Sequence, residues 1–494
     1  MKKYLVLAGL LCVGSSTLWA QDPTSYAETI TKADLREHLQ IVAADSMEGR
    51  LTATPGQKRA ARYLEQQFKA FGLAPAANGG KTYQQVFQLE ERSWGEVFIQ
   101  SPKSRFENLE EFFYFGNTGV EAGTEMEAVY VGKGREEDIE QVDLEGKVAV
   151  LFAPGRGAAE EPGKRCQEAG AKALFVIYND DQAAFKSIVN SYKVYLSRPQ
   201  MGFPSVSEED QSIVFYVSPN LASDLFGQKI EDLVDIAESG KITDVEPAPV
   251  ALGVERVVKP LNSSNVVGFL EGDGKADEVI VITAHYDHLG TGDNGEVYNG
   301  ADDDGSGTVS VLEIAQAFAE AAKDGYRPQR SILFMLVSGE ERGLLGSDFY
   351  TRNPLYPLEN TVANLNIDMV GRLDEAHEDD PYYVYLIGSD KLSSELHNLS
   401  EATNDKYTEL DLDYRYNDEN DPNRYYYRSD HYNFAKNDIP VIFYFNGTHE
   451  DYHQDTDTVE KIHFGKVERI ARLVFYTAWE LANREERIKV DAAP

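Results

Sequence analysis

The sequence has few cysteines, a shortage of basic side chains and no late apolar run that could span a bilayer, and each shortage excludes a class of protein. Only two of the 494 residues, Cys12 and Cys166, are cysteines, so disulfides cannot be the main support of the fold. Lys and Arg number 47 against 83 Asp and Glu, which gives a net charge of -36. This charge repels phosphates and anionic lipids, so we expect no nucleic-acid partner and no docking to a membrane surface.

The first twenty residues have the composition of an export signal. Lys2 and Lys3 are followed by an apolar stretch at 5–13 and by a small residue, Ala20, which is the order of the parts in a signal peptide. We predict cleavage after Ala20 and release of the mature protein, without a membrane span, into the periplasm or the medium. Lipid attachment at Cys12 is the less favoured alternative, because leucines precede it where a lipoprotein signal has small residues.

The apolar content of 42% suffices for folded cores, and the length of 494 residues indicates two or three domains. The stretch 110–249 alternates short strand-like runs with helical segments. Within it, the sequences at 143–151 and 169–174 resemble the protease-associated (PA) domain, and no cluster of histidines and acids occurs there. We therefore predict a main domain formed by 21–109 and 250–494, with a smaller, non-catalytic, β-rich α/β domain inserted at 110–249.

After residue 262 the pattern becomes that of an α/β protein. Residues 279–282 and 332–337 are continuous apolar runs, as in strands buried on both faces, and residues 309–322 between them have apolar side chains at helical spacing. A strand, a helix and a strand in this order predict a right-handed parallel crossover. Further strands are predicted at 363–367, 383–387 and 441–445, and a closing helix at 464–481. In such sheets, functional sites lie beyond the carboxyl ends of the strands.

Histidines and acidic residues follow the predicted strands. In chain order they are His285, Asp287, the triplet Asp302-Asp303-Asp304, Glu340, Glu341, Asp368 and His453. Each has an ordinary structural explanation by itself, since acids cap helix N-termini and histidines also occur in cores. Together they bring two imidazoles and at least three carboxylates to one edge of a sheet, and this set of ligands suits two zinc ions in open coordination.

This order of motifs resembles the co-catalytic dizinc exopeptidases of peptidase clan MH, the family of the secreted bacterial aminopeptidases and glutamate carboxypeptidase II. The resemblance implies a three-layer αβα sandwich around a mostly parallel mixed sheet, with two Zn²⁺ per chain. The positions that match metal ligands are His285, Asp303 as the bridging carboxylate, Glu341, Asp368 and His453. The positions that match catalytic residues are Glu340 as general base, Tyr452 as oxyanion donor and Asp287 as the acceptor of the second ring proton of His285.

The remaining histidines are expected to take no part in metal binding. Residues 429–431 match a family segment and are given a supporting role. No ligand position of the family is matched by His38, His288, His377, His397, His449 or His463.

The resemblance implies an exported zinc-dependent exopeptidase, and we favour an aminopeptidase that acts on peptides with a free terminus. A carboxypeptidase and a glutaminyl cyclase, which has the same fold and one zinc ion, remain alternatives among enzymes. An inactive receptor-like binding protein is the alternative of another class, although such relatives have lost ligands and none is missing here. The sequence does not indicate the oligomeric state, the side-chain preference, or whether the Tyr- and Asp-rich segment 409–428 overhangs the site.

Overall fold

The computed structural model describes residues 22–155, 157–204 and 213–491, so the predicted signal at 1–20 lies outside the described residues. The chain divides into two compact units, one made of Met1–Phe87 with Asn262–Pro494 and the other of Gln88–Leu261. In the described part of the chain, no helix is both long and apolar enough to span a membrane.

A mostly parallel sheet forms the centre of the first unit. In order across the sheet, its strands are Asp411–Asp413, Tyr383–Ile387, Val441–Phe445, Thr361–Ile367, Lys275–His285, Arg330–Val337 and the end of Ala248–Leu270. Lys275–His285 pairs in parallel with both of its neighbours, so the predicted parallel crossover is confirmed. The sheet is mixed, because Tyr383–Ile387 and Ala248–Leu270 pair antiparallel with their neighbours.

Helices cover both faces of this sheet because the central strands are apolar on both sides. Ile280 and Ile282 pack into one core, whereas Val279 and Val281 pack into another. The first core is completed by the helices Lys32–Val42, Pro55–Phe71, Gly307–Lys323 and Phe464–Asn483, and the second by Leu345–Arg352 and His431–Ala435. This arrangement is the predicted three-layer sandwich.

Shorter elements complete the first unit. The remaining helices are Thr24–Ala27, Ala77–Gly80 and Ser394–Tyr407, and the remaining strands are Ala74–Pro75, Gly290–Thr291 and Val297–Tyr298. Short helical turns lie at Asp45–Arg50, Ala301–Ser306, Glu340–Arg342, Leu358–Asn360, Glu375–His377, Arg415–Asn417, Tyr425–Tyr427 and Val459–Lys461. Two of these turns, Ala301–Ser306 and Glu340–Arg342, carry acidic residues of the predicted site.

The second unit has its own sheet and core. In order across the sheet, its strands are the start of Ala248–Leu270, Val120–Tyr130, Val148–Phe152, Ala173–Ile177, Val214–Val217 and Phe112–Tyr114, and Gln84–Gln100 pairs with Arg105–Glu107 and Gln200–Gly202. Its helices are Glu136–Ile139, Glu160–Glu168, Gln182–Ser197, Pro219–Phe226 and Ile230–Ser239, followed by a turn at Ile242–Asp244. Cys166 is buried in an apolar cluster, where burial raises the pKa of its thiol to about 11, as befits a packing residue.

The second unit is wider than the insert predicted at 110–249. The difference arises because the strands Gln84–Gln100 and Ala248–Leu270 continue across the division and pair with other strands of the second unit. A strand that continues without a turn leaves no sequence signal of a boundary. The resemblance of this unit to the PA domain stays a prediction.

The helix Phe464–Asn483 carries a cation on its buried side. Lys466 is fully buried, and its ammonium lies 3.2 Å from the centroid of the Tyr383 ring. Burial lowers the pKa of this ammonium to about 7, against the opposing charges of Asp302, Asp374 and Asp380. The folded protein therefore holds a lysine that gives up its proton near neutral pH.

The lowered pKa of Lys466 predicts a specific dependence of stability on pH. The unfolded lysine, with a pKa of 10.5, binds more protons than the folded one, which has a pKa of about 7. The cost of burying the charge is therefore full below pH 7 and disappears as the pH rises towards 10.5. Urea unfolding should show that the stability of the protein, relative to that of Lys466→Met, increases between pH 7 and pH 10. Equal pH slopes for the two proteins would contradict this account.

Candidate active site

The site lies where three neighbouring parallel strands end. His285 is the last residue of Lys275–His285, and Asp368 directly follows Thr361–Ile367. Glu340 begins a turn three residues after Arg330–Val337. Because these strands are parallel neighbours, their carboxyl ends meet at one edge of the sheet, as the sequence predicted.

The three aspartates at 302–304 have different roles, because two of them stabilise the local backbone and one faces the other site residues. Asp304 accepts hydrogen bonds from the backbone of His285, Gly307 and Met369, at 2.9 to 3.1 Å. Asp302 accepts hydrogen bonds from the backbone of Gly371 and from the Ser306 hydroxyl. These contacts connect the turn Ala301–Ser306 to the ends of the neighbouring strands. The carboxylate of Asp303 instead faces the other candidate metal ligands.

The first donor group consists of His285, Asp303 and Asp368, whose ligand atoms all lie within 4.8 Å of one another. The Nε2 atom of His285 is 3.2 Å from Oδ1 of Asp303 and 3.5 Å from Oδ1 of Asp368. The other oxygen of Asp368 accepts a hydrogen bond of 2.6 Å from the Ser429 hydroxyl. One nitrogen and two carboxylates therefore converge on one point and could hold a metal ion.

The second donor group uses the other oxygen of Asp303. The Nε2 atom of His453 is 3.2 Å from both Oδ2 of Asp303 and Oε2 of Glu341. His288, which was predicted to have no role here, forms with Asp303 and Glu341 a set whose ligand atoms all lie within 4.8 Å of one another. Its Nδ1 atom is 2.8 Å from Oε1 of Glu341. Since each oxygen of Asp303 faces a different group, this carboxylate has the position of a bridge between two ions.

The donor atoms behave like ligands that need a cation. Four buried atoms have no hydrogen-bond partner among the described residues: Oδ2 of Asp303, Oε1 of Glu341 and both ring nitrogens of His288. A buried carboxylate is costly unless a positive charge or hydrogen bonds compensate it. Imidazole nitrogen and carboxylate oxygen are ligands that Zn²⁺ commonly takes. The residues present therefore fit zinc at both groups.

Proton positions in the site follow from the crowded charges. Burial opposes the charge of Asp303, but the adjacent imidazoles of His285, His453 and His288 hold the pKa of this carboxyl well below its usual range. Burial also opposes protonation of His453, yet Asp303 and Glu341 raise its pKa to about 10. Protonated imidazoles thus balance the carboxylates when no metal ion does so.

Glu340 differs from its neighbour Glu341 in both position and charge. Burial raises the pKa of Glu340 well above its ordinary value, with Asp368 and Glu341 adding to this effect against the opposing charge of His285. Burial and Asp303 oppose ionisation of Glu341, but the adjacent imidazoles of His288 and His453 lower its pKa to about 2. One acid of the pair can therefore accept a proton, and the other stays ionised.

The carboxylate of Asp287 accepts hydrogen bonds from Thr52 and Glu340 and not from the imidazole of His285. The Nδ1 atom of His285 is 3.1 Å from the backbone oxygen of Asp287 and 3.8 Å from its carboxylate. That carboxylate instead accepts hydrogen bonds from the Thr52 hydroxyl, at 2.6 Å, and from the backbone N–H of Glu340, at 3.3 Å. The ring nitrogen of His285 therefore contacts the backbone oxygen of Asp287, whereas the sequence predicted its carboxylate as the acceptor.

Tyr452 and Arg428 lie together at the mouth of the site. The Tyr452 ring stacks on His453 with centroids 3.9 Å apart, and its hydroxyl accepts a hydrogen bond of 3.3 Å from Arg428. The same pocket is lined on its apolar side by Met369, Tyr425, Phe443 and Phe445. Tyr425 and Arg428 show that the end of the Tyr- and Asp-rich segment reaches the site.

The segment 429–431 supports the site, as predicted. Ser429 donates to Asp368, and Ser347 donates to Asp430. His431 stacks on Phe443 at 4.7 Å, and burial lowers the pKa of its imidazole to about 3. A neutral, packed His431 has no place among the metal donors.

Arg50 is a structural residue of the site that the sequence reasoning missed. Its guanidinium is fully buried and donates four hydrogen bonds, of 2.6 to 2.9 Å, to backbone oxygens of Tyr286, Val42, Asn299 and Gly300. Tyr286 lies beside His285, and Gly300 precedes the turn that carries Asp303. Its neighbours at 48–56 resemble an ordinary loop, so only the folded chain reveals this role.

Comparisons with known proteins place this chain beside zinc metalloproteases and aminopeptidases. Residues 265–478 match the model of peptidase family M28. A probable zinc metalloprotease of Pyricularia oryzae is 28% identical over 293 residues, which are 51% of this chain and 56% of that protein. Aminopeptidase YwaD of Bacillus subtilis is 28% identical over 242 residues, which are 49% of this chain and 43% of that protein.

The matches cover different shares of the two chains compared. The chain spans about half the length of the curated relatives that it matches. Among solved structures, an aminopeptidase from Aneurinibacillus sp. strain AM-1 superposes with a TM-score of 0.56 and 20% identity, over 96% of this chain and 99% of that one. This likeness confirms the predicted α/β fold.

The contacts of Arg50 predict a large loss of stability in Arg50→Gln. Four buried hydrogen bonds disappear, and at about 1 kcal/mol for each bond the free energy of unfolding should fall by about 4 kcal/mol. The matched control is Arg59→Gln, because Arg59 also donates to a backbone oxygen but is partly exposed. Urea unfolding should show a loss below about 1 kcal/mol for that control. Equal losses in the two variants would contradict a special role of Arg50.

Proposed function

We propose that this protein is an exported zinc-dependent aminopeptidase that holds two Zn²⁺ ions and removes residues from peptides with a free N-terminus. The observation that carries the proposal is the position of Asp303, which presents one oxygen to His285 and the other to His453. A shared carboxylate between two donor groups is the arrangement of a two-metal hydrolase. Export rests on the predicted signal at 1–20.

The related proteins support this function. One relative is named a probable zinc metalloprotease, another is named an aminopeptidase, and the matched family is a peptidase family. In the first group the ligands would be His285, Asp303 and Asp368, and in the second Asp303, Glu341 and His453. When bound, the zinc ions would lower the pKa of a water molecule and polarise the scissile carbonyl.

Glu340 has the properties of the general base in this site. It lies between the donor groups, with its Oε2 atom 3.9 Å from Nε2 of His285. Its raised pKa increases its affinity for a proton, as a base needs that takes a proton from water and returns it to the leaving amine. The backbone N–H of Glu340 donates to Asp287, which holds the acid in place.

Tyr452 is placed to stabilise the oxyanion of the tetrahedral intermediate. Its hydroxyl oxygen accepts a hydrogen bond from Arg428, so its own proton remains available to a substrate oxygen. Burial, Asp303 and Glu341 raise the pKa of Tyr452 above its ordinary value, which keeps the hydroxyl protonated. A protonated donor near the reacting carbonyl lowers the barrier.

The residues that line the pocket bear on the side chain and the terminus of the substrate. The apolar wall of the pocket, formed by Met369, Phe443 and Phe445, favours an apolar side chain on the terminal residue. Arg428 at the rim is the observation that favours a carboxypeptidase as the second candidate, since a guanidinium binds a carboxylate well. Peptides blocked at either end distinguish these two functions. An aminopeptidase loses activity on N-acetylated peptides and retains it on C-terminal amides.

The division of roles between Glu340 and Glu341 is tested by paired substitutions. Glu340→Gln should keep both zinc ions and the fold but lose at least about 10²–10⁴ in kcat, because the amide cannot accept the water proton. Glu341→Gln removes a charged ligand and should lower the zinc content and the melting temperature together. Elemental analysis and hydrolysis of free-terminus peptides give the two readouts.

Two results of the glutamate experiment would contradict the proposal. If Glu340→Gln loses metal while Glu341→Gln keeps it, the roles of the two acids are reversed. If both variants hydrolyse peptides like the parent protein, this site does not carry out peptidase chemistry.

The oxyanion role of Tyr452 predicts an effect on rate rather than on binding. Tyr452→Phe should lower kcat by roughly 10²–10³ and leave KM within a few-fold, because the lost hydrogen bond forms in the transition state. The matched control is Tyr425→Phe, which removes a hydroxyl from the same pocket that bonds only to Thr448, at 3.4 Å. A kcat for Tyr452→Phe equal to that of this control would return Tyr452 to a packing role.

A further inference from the structure

The second donor group contains two imidazoles where the sequence predicted one. His453 and His288 both face the carboxylate of Glu341, one at each oxygen, at 3.2 and 2.8 Å. We propose that His288 is a further ligand of the ion held by Asp303, Glu341 and His453. This inference rests on the proposed dizinc function and adds a sixth residue to its metal centre.

The contact between His288 and Glu341 is not an ordinary hydrogen bond. Nδ1 of His288 is 2.8 Å from Oε1 of Glu341, yet neither atom has a hydrogen-bond partner of acceptable geometry. The ring N–H direction therefore does not point at the oxygen. Two donor atoms that lie close together without pointing at each other are the arrangement expected when both point at a common ion.

The ring of His288 is fully buried and fixed in its position. Its backbone N–H donates to the oxygen of Arg50 at 3.4 Å, and its residue forms an isolated bridge with Leu51. Gly300 passes directly beside the ring, because a Cβ atom at this glycine would lie 2.6 Å from Cγ and Cδ2 of His288. The chain thus provides a close-fitting space for an imidazole whose nitrogens have no other partner.

The extra imidazole makes the two donor groups unequal. The first group has three protein ligands, His285, Asp303 and Asp368. In the second, the ligand atoms of His288, Asp303 and Glu341 lie within 4.8 Å of one another, and His453 contacts Asp303 and Glu341 at 3.2 Å, which gives four candidate protein ligands. Four protein ligands are typical of zinc sites that hold the ion permanently, and three ligands leave a position open for water or substrate. The second ion should accordingly be the more tightly bound.

X-ray absorption at the zinc edge of the zinc-loaded protein tests this proposal without reference to activity. The spectrum counts imidazoles per metal ion, and we expect three imidazoles shared by two ions. The variant His288→Asn should show two, and its affinity for the second ion should fall by more than about 100-fold in a chelator competition. Loss of a residue that only orients a ligand costs roughly 10–100-fold. The matched control is His397→Gln, which removes a partly buried histidine from a helix of the same unit.

The outcomes separate this inference from the proposed function. Two imidazoles shared by two ions in the parent protein would overturn the role of His288 and leave the dizinc site intact. A protein that binds no zinc would overturn both. If His288→Asn fails to fold, the imidazole count of the parent protein decides the question alone.

Discussion

The burial of carboxylates at the ends of apolar strands is the constraint on which the rest of this structure depends. Asp303, Asp304 and Asp368 are all buried. Asp368 directly follows the fully buried strand Thr361–Ile367, and Asp303 and Asp304 lie in the turn Ala301–Ser306. Such a group of acids is unstable unless hydrogen bonds or cations compensate it. Asp304 is compensated by backbone N–H groups, whereas Asp303 faces imidazoles and is left with an unpartnered oxygen. The fold therefore presents an acidic centre that attracts metal ions.

The elements around this centre hold its shape by hydrogen bonds to the main chain. Arg50 joins the loop before Asp303 to the loop after His285, and Asp287 holds the turn that begins at Glu340. Met369 and His453 have positive φ angles of 58° and 59°, an uncommon conformation for residues with a side chain. Met369 follows Asp368, and the side chains of Asp368 and His453 both lie close to Asp303. Rigid positioning of this kind is what metal ligands and a general base require.

Much of the fold and the donor set could be predicted from the sequence, because buried parallel strands give continuous apolar runs and their ends carry the polar residues. The parts that could not be predicted have physical reasons. His288 was given no role because it matches no ligand position of the family that the motifs resemble. The strand ends at His285, however, and the chain turns so that both rings face Asp303. Arg50 was missed because all four of its acceptors are backbone oxygens, which have no signature in the sequence.

The limits of the second unit were also not predictable, since the strands Gln84–Gln100 and Ala248–Leu270 continue across the division without a turn. Both donor groups belong to the first unit, so the proposed chemistry depends on that unit's residues. The same holds for Tyr452, Arg428 and the apolar wall of the pocket.

Titration of metal-free protein with Zn²⁺, followed by hydrolysis of a peptide with a free N-terminus, tests the central claim most directly. The account predicts no hydrolysis before zinc is added and a rise that reaches its maximum when two ions are bound per chain. The same peptide with an acetylated N-terminus should remain intact throughout. Full hydrolysis by protein from which all metal has been removed, as verified by elemental analysis, would contradict the account.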